Sequence, residues 1–454
     1  MNVSPLATTT TPVSTREFIS VEWRFLLFGM AMAFCSSLGQ TFFISLYSGQ
    51  IRAELALSHG EFGTYYALAT TLSAISLLWV GKLADTMRVE KLALLVLTCL
   101  CITAFLFSQI FSVITLIFGL YMLRLWGQGM MTHVYSTAMA RRYIVARGRA
   151  LSIAQLGINC AESIGPISVV ALMAIFDWRQ IWLYLPIGLL LALAPNIRYL
   201  TQRTRLQDGG GLEALRAKTD VVGDKKTNSG THLGTNSGTN LGTKSEQTPI
   251  VMIDGVAHWR RTAMLRDPRF WLGLLGLFTV PNFTITGLLF HQIHLAELKG
   301  VSLESWTANY VLYAGFAIIG GLLAGQLVDR FTARRVAAHT MLPTTLACIV
   351  LWFGDATFGV PLFFAFFGLA VGMPFSALTA IIAELYGTRF LGEIKSVFLP
   401  VGVFASALSP MVMGMMIDGG YGMAYLMGIN IMIAGVAQIM AMIFLRLAAP
   451  EIKP

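Results

Sequence analysis

Two side chains of opposite charge stand in the middle of long apolar runs: Arg124 in the run at about 113–139, and Glu162 in the next, at about 150–176. A charge at the centre of a bilayer costs about 2.5–3.5 kcal/mol on insertion scales, so each group needs a partner or water. Counted from opposite ends of consecutive antiparallel helices, the depths are roughly 15 Å for Arg124 and roughly 18 Å for Glu162, at about 1.5 Å per residue. The heights nearly coincide, and the expectation is one cavity with guanidinium and carboxylate within ion-pair or water-bridged reach. Gln128, Thr132 and Tyr135 continue from Arg124 at helical spacing, while Gln155, Asn159, Ser163 and Pro166 flank Glu162. Each charge thus sits on a polar stripe along one helix face. In one reading Arg124 attracts an anionic group; Glu162 neutralises it in the empty site and releases it on protonation, coupling proton entry to anion entry. In the other, the two form a buried ion pair that only fixes helix packing.

No other constellation in the sequence is catalytic. Cys35, Cys99, Cys101, Cys160 and Cys348 lie in apolar runs without a CxxC or companion histidines, which argues against a metal centre or a disulfide framework. His291 and His294 are one helical turn apart, like metal ligands, but no third ligand is evident, and a gate or interfacial role accounts for them better. His133, beside Thr132, is a packing histidine or a proton relay. No Walker-type loop is present, so energy must come from gradients rather than ATP.

The elements that hold these groups are membrane spans. The 454 residues are 56% hydrophobic and 12% charged, with a mean hydropathy of +0.68, against about 25% charged residues in soluble domains. Apolar runs fall at about 25–48, 61–81, 91–110, 113–139, 150–176, 181–199, 270–293, 306–328, 336–354, 359–383, 394–417 and 422–447. Twelve helices of about 20 residues across a bilayer fit this pattern, which excludes a soluble enzyme, a secreted disulfide scaffold and a disordered protein. Nearly all of the 32 Lys and Arg fall on the side of the termini, with Arg52, Arg179 and Lys299 opposite and Arg124 inside a span. The net charge of +9 is therefore a topology signal, not a nucleic-acid footprint, and places both termini in the cytoplasm.

Residues 1–20 are polar and Thr-rich, without the features of a secretory signal, and are expected to be a disordered tail. Residues 201–265 are expected to form a flexible cytoplasmic linker; Asn228 to Thr243 repeats every four residues, with Gly230, Gly234, Gly238 and Gly242 in step. A short tail, 448–454, ends the chain. Between these lie two six-helix halves, 21–200 and 266–447. Where the second begins, at Leu265 to Trp271, arginines are expected at the headgroups and aromatics at the interface.

The halves repeat each other. Gly81 and Asp85 recur as Gly325 and Asp329, and Gly148, Ser152 and Pro166 as Gly392, Ser396 and Pro410, all at an offset of 244. Ala53-Glu54-Leu55 and Ser58 recur as Ala296-Glu297-Leu298 and Ser302. Parallel six-span repeats related by an axis along the membrane normal are a known transporter architecture.

At these residues the chain resembles the major facilitator superfamily. Gly81 to Arg88 is similar to the family's signature loop between spans two and three, and Gly325 to Arg330, followed by Arg334 and Arg335, is similar to its second-half copy. Arg124-Leu125-Trp126-Gly127-Gln128-Gly129 resembles the Arg-containing motif of the fourth helix. Tyr143, Arg147-Gly148, Ala150, Ala154 and Gly157, with Ala383 to Arg389, resemble the monocarboxylate-porter-like branch, including oxalate–formate exchangers. Two family features are absent: Gly165-Pro166 lacks the surrounding glycines of the antiporter pattern, and span eight, Ala314 to Gly320, lacks the Asp and Arg of animal monocarboxylate porters.

The resemblance implies an all-α membrane protein of twelve transmembrane helices in two pseudo-symmetric six-helix bundles, working by alternating access. It implies that spans one, four, seven and ten line the cavity, which makes Gln40, Thr41, Asn282, His291 and Ser376 candidate contacts beside Arg124, Gln128, Thr132, Asn159 and Glu162. Small hydroxyls of this kind also serve as helix–helix glue. It further implies a cytoplasmic latch of Gly81, Asp85, Arg88, Gly325, Asp329, Arg330 and Arg334 in the outward-open state. The expected activity is proton-coupled secondary transport of a small organic anion such as a monocarboxylate. No cofactor, metal or nucleic acid is implied, and the expected form is a monomer in a cell membrane, the bacterial inner membrane. The competing readings are efflux of hydrophobic or cationic compounds, which aromatics around an unpaired Glu162 would favour, and a transporter-like receptor.

Overall fold

The computed structural model describes residues 15–143, 146–202, 249–253 and 256–447. The tail before residue 15, the Asn228–Thr243 repeat and the C-terminal tail lie outside the described residues. Twelve helices are long and apolar enough to cross a membrane: Thr15–Gly39, His59–Thr86, Val89–Ser108, Val113–Arg142, Arg147–Met173, Trp178–Thr201, Arg269–Phe290, Leu303–Arg330, Ala333–Phe353, Gly359–Tyr386, Leu391–Asp418 and Met423–Phe444. Their outer faces expose large apolar side chains, among them Leu78, Ile114, Leu191 and Leu322, an arrangement suited to lipid and not to water.

Duplication is visible in the packing. In the first half, span one packs on five, two on four and three on six; in the second, seven packs on eleven, eight on ten and nine on twelve. The repeated Ser58 and Ser302 are the N-caps of spans two and eight, accepting from the Glu61 and Ser305 amides at 3.1 and 3.2 Å. Just before them, Ala56 and Gly300 share a left-handed backbone, with φ of 52° and 63°. The bend is the same in both copies, although only Gly300 adopts it without steric cost. Between the halves, span two lies against eleven and span five against eight.

Three spans carry a stretch of 3-10 or π-helix. Span one is α-helical over Thr15–Cys35, tightens to a 3-10 turn over Ser36–Gly39, and breaks at Gln40, which is extended with ψ of 153°. Span four carries a π-helical segment at Arg124–Met131, and span seven another at Arg269–Leu274. The break in span one crosses the bulge in span four at two glycines. A Cβ on Gly39 would lie 2.8 Å from the Gly127 Cα, and one on Gly127 2.7 Å from the Gly39 Cα. No side chain fits at that crossing.

Three boundaries differ from the sequence expectation. Span one begins at Thr15, inside the stretch read as tail, because Phe18 is buried and takes a helical turn into the core. The end of the expected linker is folded: Ile250–Ile253 and Val256–Trp259 form an antiparallel hairpin, followed by a turn of helix at Arg261–Met264. Trp259 anchors it, 3% exposed and edge-on to Tyr386 at 5.5 Å. Arg269 does not stay at the headgroups; it is buried against Asp267 at 2.9 Å, beneath the Trp259 ring, whereas Arg266 and Trp271 keep the exposure expected of that segment.

The glycine crossing gives a direct test. Gly39→Ala should lower thermal stability in detergent by about 1–3 kcal/mol through overpacking. Gly188→Ala, where an added methyl meets nothing within 4 Å, should leave the melting temperature unchanged or slightly raised.

Candidate functional site

Unwinding span one leaves the Gly39 carbonyl without a helical partner in a region where water cannot serve, so another donor must reach it. Arg124 does: its Nη1 donates to that carbonyl at 3.1 Å. The guanidinium is 4% exposed and lies over the Tyr66 ring, 5.2 Å from its centroid. Nε has no hydrogen-bond partner, and no carboxylate pairs with the group among the described residues. Tyr66 is in turn held by Thr41, hydroxyl to hydroxyl at 2.7 Å, and touches Phe290 of the other half at 4.7 Å.

Arg124 and Glu162 are not an ion pair. Glu162 instead accepts from the Tyr313 hydroxyl of span eight at 3.4 Å, a bond between the halves. The depth argument fixed height along each helix but not azimuth, and the π-helical segment turns Arg124 onto the broken first span. It also breaks the stripe expected from helical spacing, since a π turn advances by five residues. Gln40, Gln128 and Asn159 are half-buried and make no side-chain hydrogen bond among the described residues. The Thr132 hydroxyl is buried without a partner. Tyr135 donates to Gln155 at 2.9 Å. Asn282 and Ser376 return to their own half, to the carbonyls of Phe278 at 2.7 Å and Gly321 at 3.1 Å.

The signature loops also bond within their own halves. Asp85 pairs with Arg141, the Gly81 carbonyl meets His133 at 3.1 Å, and Arg88 meets Glu90 at 3.2 Å. In the second copy Arg334 pairs with Glu384 at 3.1 Å and Arg330 lies beside the Phe331 ring, while Asp329 is exposed and Gly325 has open space around it. At the same end Glu22, 1% exposed, takes hydrogen bonds from Arg142 and Tyr143. Sequence reasoning passed over this cluster, although a glutamate opening an apolar run is its signal.

Apart from the bond from Tyr313 to Glu162, the hydrogen bonds between the halves lie at the opposite end, away from the termini. Ser45 donates to the Leu289 carbonyl at 2.8 Å, and Gln292 donates to the Phe42 carbonyl at 3.0 Å and to Ser45 at 2.6 Å. Tyr310 donates to Gln292 at 2.8 Å. The amides of His59 and Gly60, at the start of span two, donate to Asp418 of span eleven at 2.9 and 2.7 Å. The His59 ring sits 5.7 Å from His291 and 5.0 Å from His294. His291 is thus a seam residue, bonded to the Pro410 carbonyl at 3.0 Å. Sequence reasoning missed Tyr66, Tyr310, Tyr313, Gln292 and Asp418; the polar tips of tyrosines within apolar runs were the available signal.

A family model described as Major Facilitator Superfamily matches residues 29–410, and the chain belongs to that superfamily. Among curated proteins, "Putative glycerol-3-phosphate transporter 5" of Arabidopsis thaliana is 24% identical over 216 residues, covering 41% of this chain and 43% of that protein's length. Among solved structures, a bacterial homologue of the human lysosomal transporter Spinster, inward-facing and unoccupied, superposes with a TM-score of 0.62 at 15% identity, covering 93% of this chain and 96% of that one. The nucleoside transporter NupG superposes with a TM-score of 0.63 at 12% identity, covering 93% and 98%. These structures share the fold. The family and the twelve candidate spans make the chain a multi-pass membrane protein, which spans less than half the length of that curated relative.

Burial holds the His291 imidazole down to about 3, from an ordinary value of 6.5, so it is neutral in the closed seam. Around it stand Arg52, His59, His294, Glu297 and Asp418. Opening the seam returns His291 to water and to its ordinary value; the closed form therefore loses stability as pH falls below 6.5 and loses most on approach to 3. Acidifying from about pH 7.5 to about 5 should favour opening by about 2 kcal/mol. Thiol labelling of Ser48→Cys, in a background without the native cysteines, should speed up on acidification, and His291→Gln should flatten that dependence.

Proposed function

We propose that this member of the major facilitator superfamily is a secondary transporter that moves a small organic anion by alternating access, with Arg124 as the anion receptor. The observation that carries this reading is the state of Arg124: buried, without a carboxylate, and with Nε unpartnered. A buried guanidinium without a counter-charge is costly, and a substrate carboxylate or phosphate supplies that charge. Arginine suits the task because its planar fork meets such groups through two parallel hydrogen bonds. The half-buried amides of Gln40, Gln128 and Asn159 are available for the rest of the substrate. The relative named as a glycerol-3-phosphate transporter adds phosphate esters to the monocarboxylates suggested by the sequence.

Glu162 is the proposed proton-coupling group. It is bound across the interface by Tyr313, so its protonation alters a bond that changes when the halves rock. With both termini in the cytoplasm, a molecule whose halves bond at the end away from the termini is inward-open, the state also named for the Spinster homologue. The proposed setting is a bacterial inner membrane, and the proposed form a monomer.

One observation favours a second reading. Glu162 has no cationic partner among the described residues and faces Tyr313, with Tyr310 alongside, which suits a hydrophobic cation and export.

Counterflow in reconstituted vesicles with a panel of carboxylates and phosphate esters separates the two. Arg124→Gln should cut anion counterflow by about 10- to 100-fold, the loss of one or two charge-assisted hydrogen bonds. Undiminished anion counterflow in that variant, or exchange of lipophilic cations by the wild type, rejects the anion reading. Glu162→Gln should abolish proton-driven accumulation while counterflow continues.

A further inference from the structure

The internal repeat duplicates one surface feature beside the signature loops. Spans three and six pack together, as do nine and twelve, and a crevice opens beside each pair at the end carrying the termini. The first crevice, of about 730 Å³, is lined by Arg88, Arg141, Arg142, Arg198, Thr201 and Gln202 among others. The second, of about 540 Å³, is lined by Thr332, Arg334, Arg335, His339, Leu445 and Arg446 among others. Both lie between the start of the third or ninth span and the end of the sixth or twelfth, and the first is closed further by Arg141 and Arg142 at the end of span four.

Part of this charge is already matched. Glu90 meets Arg88, Asp85 meets Arg141, Glu22 meets Arg142 and Glu384 meets Arg334. Arg198, Arg335 and Arg446 are exposed and make no ion pair among the described residues. Each crevice therefore keeps net positive charge at its mouth, together with hydroxyl or amide groups from Thr201 and Gln202, or Thr332. Beyond the crevices the same helices turn apolar side chains outward, with Leu94 and Leu191 below the first and Leu346 and Ile443 below the second.

Basic mouth and apolar wall together fit an amphiphile. A soluble phosphate ester would meet the arginines but leave the wall uncovered, whereas a phospholipid uses both. Basic pockets between transmembrane helices on the cytoplasmic side suit anionic head groups. We infer that each crevice binds the head group of an anionic phospholipid from the leaflet on the side of the termini, one per six-helix half. The lipids hold both halves at the same depth through the outer helices and leave the central cleft free.

Native mass spectrometry of the full-length protein in neutral detergent, with phosphatidylglycerol or phosphatidylcholine of matched chains, tests this. The wild type should retain two phosphatidylglycerols in preference to phosphatidylcholine. Arg198→Gln and Arg446→Gln should each weaken one of the two by about fivefold, the effect of one basic residue near the surface. Because these side chains are exposed, both variants should elute and melt like the wild type in phosphatidylcholine nanodiscs. Equal retention of the two lipids, or unchanged phosphatidylglycerol binding in both variants, overturns the inference. Inorganic phosphate raising the melting temperature as much as phosphatidylglycerol also overturns it, in favour of a free-anion site.

Discussion

The hydrogen bond from Arg124 to the Gly39 carbonyl sets what the first half can be. A helix that unwinds inside the hydrocarbon exposes backbone groups that nothing in lipid will satisfy. Here the unwound turn of span one meets an arginine carried by a π-helical segment, and two glycines let the backbones come close enough for the bond to form. The break and the buried charge solve each other's problem only in part. One carbonyl consumes one of the five donors of a guanidinium, and Nε is left without a partner.

Around this crossing the fold is a duplicated frame with unduplicated chemistry. The helix pairings and the caps at Ser58 and Ser302 recur in both halves. Arg124, however, corresponds at the common offset to Gly368, and Glu162 to Ser406. What repeats is what lets six helices pack in a bilayer; what differs is what a ligand would feel. Tyr66 ties the two together: it stacks under Arg124, accepts or donates at Thr41, and reaches Phe290 across the seam. A change of charge at Arg124 is therefore two contacts from the closed end.

Much of this was legible in the sequence. All twelve apolar runs became spans, because a bilayer imposes length and hydropathy on each segment independently of its neighbours. The 244-residue offset found in the signature loops returned as shared caps and a shared backbone bend. What was not legible depends on rotation and local winding. The sequence around Ser36 to Gln40 contains no proline, so the break in span one had no local marker; it follows from the crossing with span four. Glu162 and Arg124 share a height but not a direction. The hairpin at the end of the linker was passed over beside low-complexity neighbours, although Ile250 to Ile253 followed by Asp-Gly and Val256 carries a hairpin pattern. Arg269 was missed with it: its partner Asp267 lies two residues away, but its burial depends on a tryptophan from that hairpin.

Asp418 of one half caps the first turn of a helix in the other. Rocking the halves apart, as the proposed cycle requires, takes that carboxylate away once per turnover, while Ser58 and Glu61 stay with the helix end as a resident box. The removable cap thus works as a bolt, and the resident one as the frame into which it slides. Position 60 bears the mark of that arrangement: a methyl there would sit 2.7 Å from the Asp418 oxygen. Drift at this glycine would leave the helix standing while jamming the bolt, so the site is constrained by motion rather than by folding.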